Sequence, residues 1–129
     1  MGYYTRYTMS VHKNEENVTV YDIANKMKEL MNKEKGAFYP FEDEIRDLAE
    51  DEENKKFHDI DLESDEVKWY EYAEDMCKLS AALPSVIFQL EGEGEENGDL
   101  WKAWYKGGKQ VIHHAEIVIK PLDENEFKR

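Results

Sequence analysis

The sequence predicts an α+β fold in which helices pack on one face of an antiparallel sheet. Some segments alternate apolar and polar residues with a period of two, and others repeat apolar residues at spacings of three and four. Their order is strand, helix, acidic insert, strand, helix and a three-stranded meander, which is typical of this class. With 129 residues, 40% of them hydrophobic, the chain is long enough for one domain with its own core. We predict a single domain over residues 1–129, with about five strands, two main helices and an acidic helical insert at about residues 40–63.

The first two elements are a half-buried strand and a capped helix. The alternation in residues 3–12 predicts a half-buried strand with Tyr3, Tyr7, Met9 and Val11 on one side and Tyr4, Arg6, Thr8, Ser10 and His12 on the other. Thr19 then stands where a helix needs a cap, before apolar residues that recur as far as Met31. Gly36 follows the last turn and predicts the end of the helix.

Negative charge is concentrated in one part of the chain. Of the net charge of −13, −12 falls within residues 42–75, which contain sixteen carboxylates and only four basic side chains. Pro40 opens an amphipathic helical pattern in this part, and residues 57–63 alternate again, which predicts a short edge strand. A field of one sign repels nucleic acid and anionic membranes, and it attracts basic protein surfaces or cations.

The second half of the chain ends in a hairpin that turns at two glycines. Before it, we predict a polar corner at residues 64–66, a strand at 67–70, a helix from Tyr72 to Leu83, a strand at 85–90 and a loop at 92–99. Residues 100–120 then form two strands around Gly107 and Gly108. Pro121 stops the second strand, and residues 122–129 form a polar tail.

The hairpin has two sides, and we assign one of them to the core. Pairing Lys106 with Lys109 puts on that side Leu100, Lys102, Trp104, Val111, His113, Ala115, Ile117 and Ile119. The opposite side carries Trp101, Ala103, Tyr105, Ile112 and His114.

The acidic surface of the insert is the first candidate site. Its carboxylates can take the place of nucleic-acid phosphates in the groove of a basic protein. The residues that we assign to this contact are Glu42, Asp43, Asp47, Glu50, Asp51, Asp59, Asp61 and Glu63. A solvated acidic face that only adds solubility is the simpler alternative. A calcium loop does not fit, because Ser64 stands where that loop needs glycine and Tyr70 stands where it needs an acid.

An aromatic sheet face is the second candidate site. Trp101, Tyr105 and His114 share a side of the hairpin, and Tyr4, Arg6 and His12 share a side of the first strand. If the two strands are neighbours, these side chains form a platform on which the base of a nucleotide signal can stack. A covering helix or a second subunit is the simpler alternative, because large aromatic patches usually mark protein contacts.

No pattern in the sequence predicts catalysis, a metal or a cofactor. His113 and His114 are adjacent on a strand and therefore point to opposite faces. Cys77 follows Glu74 and Asp75, whose charges disfavour a thiolate. The glycines at 92–98 alternate with carboxylates that repel phosphate. The apolar runs are also too short to cross a bilayer, and we expect a cytoplasmic protein that is not an enzyme.

Residues 64–120 resemble small uncharacterised proteins of phages and prophages. The resemblance lies in KWY and DM at 68–76, in LPSV at 83–86 and in FQLEGEGEENGDLWKAWYKGGK at 88–109. It implies a ferredoxin-like α+β domain without catalytic residues, and it leaves Phe41–Glu63 without a counterpart. A phage origin favours an inhibitor of a host defence or nucleic-acid-binding protein.

These observations lead to one main hypothesis and one alternative. The main hypothesis is a non-enzymatic acidic protein that docks on a basic host protein in the host cytoplasm, without binding nucleic acid or membrane itself. The hairpin aromatics would then form a partner contact or a homodimer contact. The alternative is a binder or sponge for a nucleotide signal on the aromatic face. A phosphodiesterase-like or metal-dependent enzyme, which needs a bound metal, ranks third.

Overall fold

All five strands found within residues 3–128, the part of the chain that the computed structural model describes, belong to one antiparallel sheet. They are β1 (Thr5–Asn14), β2 (Asp61–Val67), β3 (Val86–Gly94), β4 (Leu100–Lys106) and β5 (Lys109–His114). The order across the sheet is β2-β1-β3-β4-β5, which makes β2 and β5 the edge strands. The α-helices are α1 (Val20–Lys33), α2 (Glu42–Glu50) and α3 (Tyr72–Ala82). The predicted α+β class is confirmed.

The connection through α3 joins two parallel strands. β2 and β3 each pair antiparallel with β1, so they run parallel to each other with β1 between them. Ferredoxin-like domains also contain such a split β-α-β unit. The sheet therefore confirms the coarser class, and the ferredoxin-like topology stays a prediction.

The helices cover one face of the sheet, and the core lies between them. Leu62 of β2, Met9 of β1, Leu90 of β3 and Ala103 of β4 are neighbours in register, and all four are buried. From the helices, the same cluster contains Ile23, Met27, Ile45, Met76 and Leu79. Each large apolar side chain in this layer contributes about 1.5–3 kcal/mol by leaving water. This face therefore holds the fold together.

The first helix has the cap and the stop that the sequence predicts. The Thr19 hydroxyl accepts a hydrogen bond from the backbone N–H of Asp22 at 3.1 Å. Beyond the last turn, Gly36 has φ of +89°, a conformation that favours glycine. Pro40 then lies in a short 3-10 turn that leads directly into α2.

A buried carboxylate, which the sequence does not reveal, anchors this connection. Asp75 of α3 accepts hydrogen bonds from the backbone N–H of Phe38 at 3.1 Å and from Nε1 of Trp69 at 2.8 Å. Phe38 has a left-handed φ of 54°, which is uncommon for a large side chain. The Asp75 carboxylate thus holds together the α1–α2 connection, the end of the β2–α3 connection and α3 itself.

The predicted edge strand at residues 57–63 is shifted along the chain. The structure has the strand at Asp61–Val67, so the predicted polar corner at 64–66 lies inside it and the predicted strand at 67–70 is wrong. The strand extends into this polar segment because β1 forms hydrogen bonds with it. The Ser64 hydroxyl accepts a hydrogen bond from the backbone N–H of Tyr7 at 3.0 Å, beside a bulge in the pairing.

The hairpin has the predicted register but the opposite orientation. Trp104 pairs with Val111 and Lys102 with His113 around the two-glycine turn, as the sequence predicts. The side assigned to the core is nevertheless the uncovered one, where Val111 is exposed. The helices instead cover the side of Trp101, Ala103 and Tyr105, because these residues pair with the core side of β3.

Both ends of the predicted meander also differ from the structure. β3 continues to Gly94, so the predicted loop at 92–99 is shorter. β5 stops at His114 instead of Lys120, and the following residues are exposed. A short 3-10 turn over Glu124–Lys128 lies in the predicted polar tail, whose last residue, Arg129, lies outside the described residues.

Candidate functional site

The predicted acidic contact residues lie on the outer surface of α2, of the edge strand β2 and of the connection between them. All eight are exposed: Glu42, Asp43, Asp47, Glu50, Asp51, Asp59, Asp61 and Glu63. The apolar residues between them, Ile45 and Leu62, point into the core and fix the direction of α2 and β2. We call this surface the acidic edge.

A further carboxylate, Glu44, shows that the helix and the strand contribute to the same surface. Partial burial raises the pKa of the Glu44 carboxyl, and the nearby carboxylates of Glu63 and Asp61 raise it further. The sequence reasoning missed Glu44, because helical spacing alone does not say which acid of α2 faces β2. The charges of the two elements therefore add at one place.

The basic side chains of the insert do not neutralise this place. Arg46 pairs with Glu42 at 3.1 Å, and Lys55 and Lys56 pair with Glu52 and Glu53, each within one helical turn. Over residues 3–128, no ion pair involves Asp61, Glu63 or the α2 acids other than Glu42. The acidic edge consequently keeps most of its charge available for a partner.

The described part of the chain does not gather a metal site. No group of three or more His, Cys, Asp or Glu side chains in residues 3–128 is arranged to hold a metal ion. The acids of the edge lie side by side along a helix and a strand, facing solvent instead of a common centre.

Two rings of the predicted aromatic platform are buried. Trp101 and Tyr105 are buried under the helices, and the Trp101 indole stacks on Tyr72 of α3 with ring centroids 4.9 Å apart. A Cβ atom at Gly92 would overlap that indole, so glycine is required there. Burial also raises the pKa of the Tyr105 phenol, whose hydroxyl donates to Gln110 Oε1 at 2.6 Å.

The other members of the predicted platform stay exposed, and Arg6 and His114 line one cavity together with Trp101. His114 is on the exposed β5 edge, whereas Tyr4 and Arg6 lie at the start of β1. β3 separates β1 from the hairpin, so the assumption that these strands are neighbours is wrong. Tyr4 instead carries the Lys68 ammonium over its ring, 4.8 Å from the centroid.

The uncovered face of the sheet contains a different aromatic site around Trp104. His12 and His113 meet the Trp104 indole edge-on, with ring centroids 6.4 Å and 5.1 Å away. A cavity of about 460 Å³ opens beside it, and its lining includes Arg6 and Lys102. The sequence reasoning named Arg6, Trp101 and His114, which also line this cavity, but it missed Trp104 because it assigned that residue to the core.

A chain of polar contacts fixes the floor of this cavity. Trp104 Nε1 donates to Gln89 Oε1 at 2.9 Å, and Gln89 Nε2 donates to Glu91 Oε1 at 3.1 Å. Lys102 Nζ lies 3.4 Å from the same Glu91 oxygen. The indole is therefore held half-buried, and part of its ring remains open to a ligand.

The remaining reactive groups of the sequence analysis are two adjacent histidines and one cysteine. His113 pairs with Lys102 and His114 with Trp101, so the two imidazoles lie on opposite faces of the sheet. Burial raises the pKa of the Cys77 thiol, which disfavours the thiolate.

Comparisons with protein families, with characterised proteins and with solved structures found no match. The resemblance to phage proteins therefore stays a prediction. In the described part of the chain, no helix has both the length and the apolar character needed to span a membrane.

Proposed function

We propose that this protein acts without catalysis, by docking its acidic edge on a basic surface of another protein. The partner is a protein that normally binds nucleic acid, and the carboxylates occupy the place of phosphates. In this proposal the protein works in the cytoplasm of a bacterial host, where a phage-derived ferredoxin-like domain would inhibit a defence component. The acidic edge itself does not bind nucleic acid, because it repels phosphates.

The convergence of the α2 and β2 carboxylates is the observation that carries this proposal. Solubility needs only scattered charge, whereas Glu44, Asp61 and Glu63 are close enough to raise the pKa of one of them. Crowded like charges destabilise a fold, and a basic partner relieves the repulsion. Their concentration on one exposed edge favours a binding role over bulk solubility.

The test compares two variants with equal charge changes at different places. Asp59→Asn/Asp61→Asn/Glu63→Gln neutralises the acidic edge, and Asp123→Asn/Glu124→Gln/Glu126→Gln neutralises three exposed acids of the tail. In pull-downs from bacterial lysate, we expect the wild type and the tail variant to recover the same basic protein. The edge variant should lose it, and high salt should weaken the wild-type interaction.

The same experiment can reject the proposal. Recovery of the same partner by the edge variant, or undiminished recovery at high salt, would show that the acidic edge is not the contact. Equal loss in both variants would mean that only net charge matters.

The cavity beside Trp104 supports a second candidate function, the binding of a nucleotide signal. The indole offers a stacking surface, and the lining also contains Arg6 and Lys102, which pair with Glu66 at 3.8 Å and with Glu91 at 3.4 Å and would have to exchange these carboxylates for a phosphate. A nucleotide at about 100 times its Kd should raise the free energy of unfolding by about 2.7 kcal/mol, measured as a thermal shift.

The variants that test this candidate are Trp104→Leu and a control, Phe57→Leu, which changes an exposed aromatic ring outside the cavity. Only Trp104→Leu should abolish the shift. If no nucleotide in a panel shifts the melting temperature of the wild type, nucleotide binding is excluded.

A further inference from the structure

The segment that follows β5 exposes a run of apolar side chains. Ile117, Val118 and Ile119 are exposed to 73%, 78% and 89%. β-branched residues of this kind favour strands, and both faces of the run are apolar. We call residues 116–120 the tail segment. Three consecutive exposed apolar side chains are unusual on a monomer and indicate a contact surface.

The tail segment has the composition of a strand but no partner strand within the molecule. The last ladder contact is the hydrogen bond from the Ala115 backbone N–H to the Leu100 carbonyl at 2.8 Å, where β4 begins. Over the described residues 3–128, no backbone hydrogen bond involves residues 116–122. The backbone donors and acceptors of the tail segment are therefore free to pair with a further strand beyond the end of β5.

The tail segment is complementary to itself in antiparallel register. When two copies are centred on Val118, Ile117 faces Ile119, and Glu116 faces Lys120 in both halves of the pair. Over residues 3–128, neither Glu116 nor Lys120 forms an ion pair. Pro121 lacks an N–H and ends the ladder at the next position. A two-fold interface requires this kind of self-matching.

We propose that the tail segment pairs with the tail segment of a second copy of this chain. The contact joins the two sheets edge to edge at their β5 sides. It keeps the acidic edges apart, because β2 lies at the other edge of each sheet. Screening over about 8–10 Å in physiological salt then leaves little repulsion between the two molecules. A contact of only five residues per copy is small, so the dimer should depend on concentration.

The direct test is sedimentation velocity of the full chain up to about 0.5 mM, which detects a Kd of that order. We expect a monomer–dimer equilibrium for the wild type. Val118→Lys puts two lysines face to face at the centre and should leave only monomer. The tail segment is exposed, so the variants should keep the wild-type circular dichroism spectrum.

A charge swap tests the register itself. Glu116→Lys and Lys120→Glu alone create like-charged pairs and should each weaken the dimer about tenfold. Mixing these two single variants restores both opposite-charge pairs, so the mixture should form a heterodimer, as should the double variant with itself. Glu124→Lys serves as a control with the same charge change outside the segment.

Three results would overturn the proposal. One is a wild type that stays monomeric over the whole concentration range. Another is a dimer that survives Val118→Lys. The third is a mixture of the two single variants that associates no better than either variant alone. Binding by the acidic edge is independent of all three results, because it involves β2, the edge strand farthest from β5.

Discussion

The two edge strands of the sheet are built in opposite ways. β2 carries four carboxylates in seven residues, and a bulge interrupts its pairing with β1. β5 contains one lysine, no carboxylate and two histidines, and it leads into the apolar tail segment. Charges and bulges prevent unspecific pairing of an edge strand, whereas an uncharged edge invites it.

The two edge strands also differ in packing, because β2 contributes more buried side chains to the core than β5 does. Behind β2 lie buried Leu62 and the Trp69 ring, which meets Tyr7 edge-on at 5.2 Å. In β5, only Ile112 is partly buried, and its other residues are exposed. The acidic edge therefore rests on well-packed side chains. The β5 edge pairs with β4 along its whole length but reaches the core only through Ile112.

The largest effect that separates the two edges should come from truncating one side chain in each. Leu62→Ala opens a cavity in the core and should lower the free energy of unfolding by about 3 kcal/mol. Val111→Ala, on the exposed side of β5, should change it by less than about 0.5 kcal/mol. Urea unfolding measures both. Similar losses for the two variants would mean that the edges are equally well packed.

The next effect concerns the anchor behind the acidic edge. Asp75→Ala leaves the Phe38 N–H and the Trp69 Nε1–H without an acceptor in a buried place, which should cost about 2 kcal/mol or more. Asp75→Asn keeps one acceptor oxygen and should cost less. If both variants unfold at the wild-type urea concentration, the carboxylate does not anchor this region.

The anchor also has a pH dependence with a definite sign. Burial raises the pKa of the Asp75 carboxyl in the folded state, and the hydrogen bonds from Trp69 and Phe38 offset only part of this rise. A raised folded pKa means that the folded state binds the proton more tightly than the unfolded state. As the pH is lowered from about 7 to about 4, the wild type should therefore gain stability relative to Asp75→Asn. A constant difference in melting temperature would contradict this reasoning.

The smallest effect should come from the acidic edge itself, and it should be stabilising. The raised pKa of Glu44 means that its charge opposes folding at neutral pH, so Glu44→Gln should increase stability, by about 0.5 kcal/mol or less because solvent screens the charges. The gain should disappear at low pH, where the carboxyl is protonated. Asp123→Asn in the tail provides the control and should leave the melting temperature unchanged.

The sequence predicted local features better than the surfaces they form. The Thr19 cap and the two-glycine hairpin depend on neighbouring residues, and both predictions are confirmed. The predicted orientation of the hairpin was wrong, because Trp101 and Trp104 place a large aromatic ring on each of its two sides. Only the pairing with β3 decides which side the helices cover.

Contacts between distant parts of the chain account for the remaining differences. Asp75 meets Phe38 across 37 residues, and no local pattern connects them. Likewise, the acids of α2 and β2 were predicted as one contact from composition, but only the fold brings Glu44 beside Glu63. The exposed tail segment was predicted to belong to the last strand, because its β propensity is strong and its lack of a neighbour is not visible in the sequence.

The most direct test of the proposed docking role asks whether affinity depends on where the charges lie or only on how many there are. The affinity of the recovered basic partner is measured by titration at several salt concentrations, for the wild type and for the edge and tail triple variants described above. We expect the edge variant to bind at least about tenfold more weakly and with a shallower salt dependence, and the tail variant to match the wild type. Equal affinities and equal salt dependence for the edge variant and the wild type would contradict the role of the acidic edge.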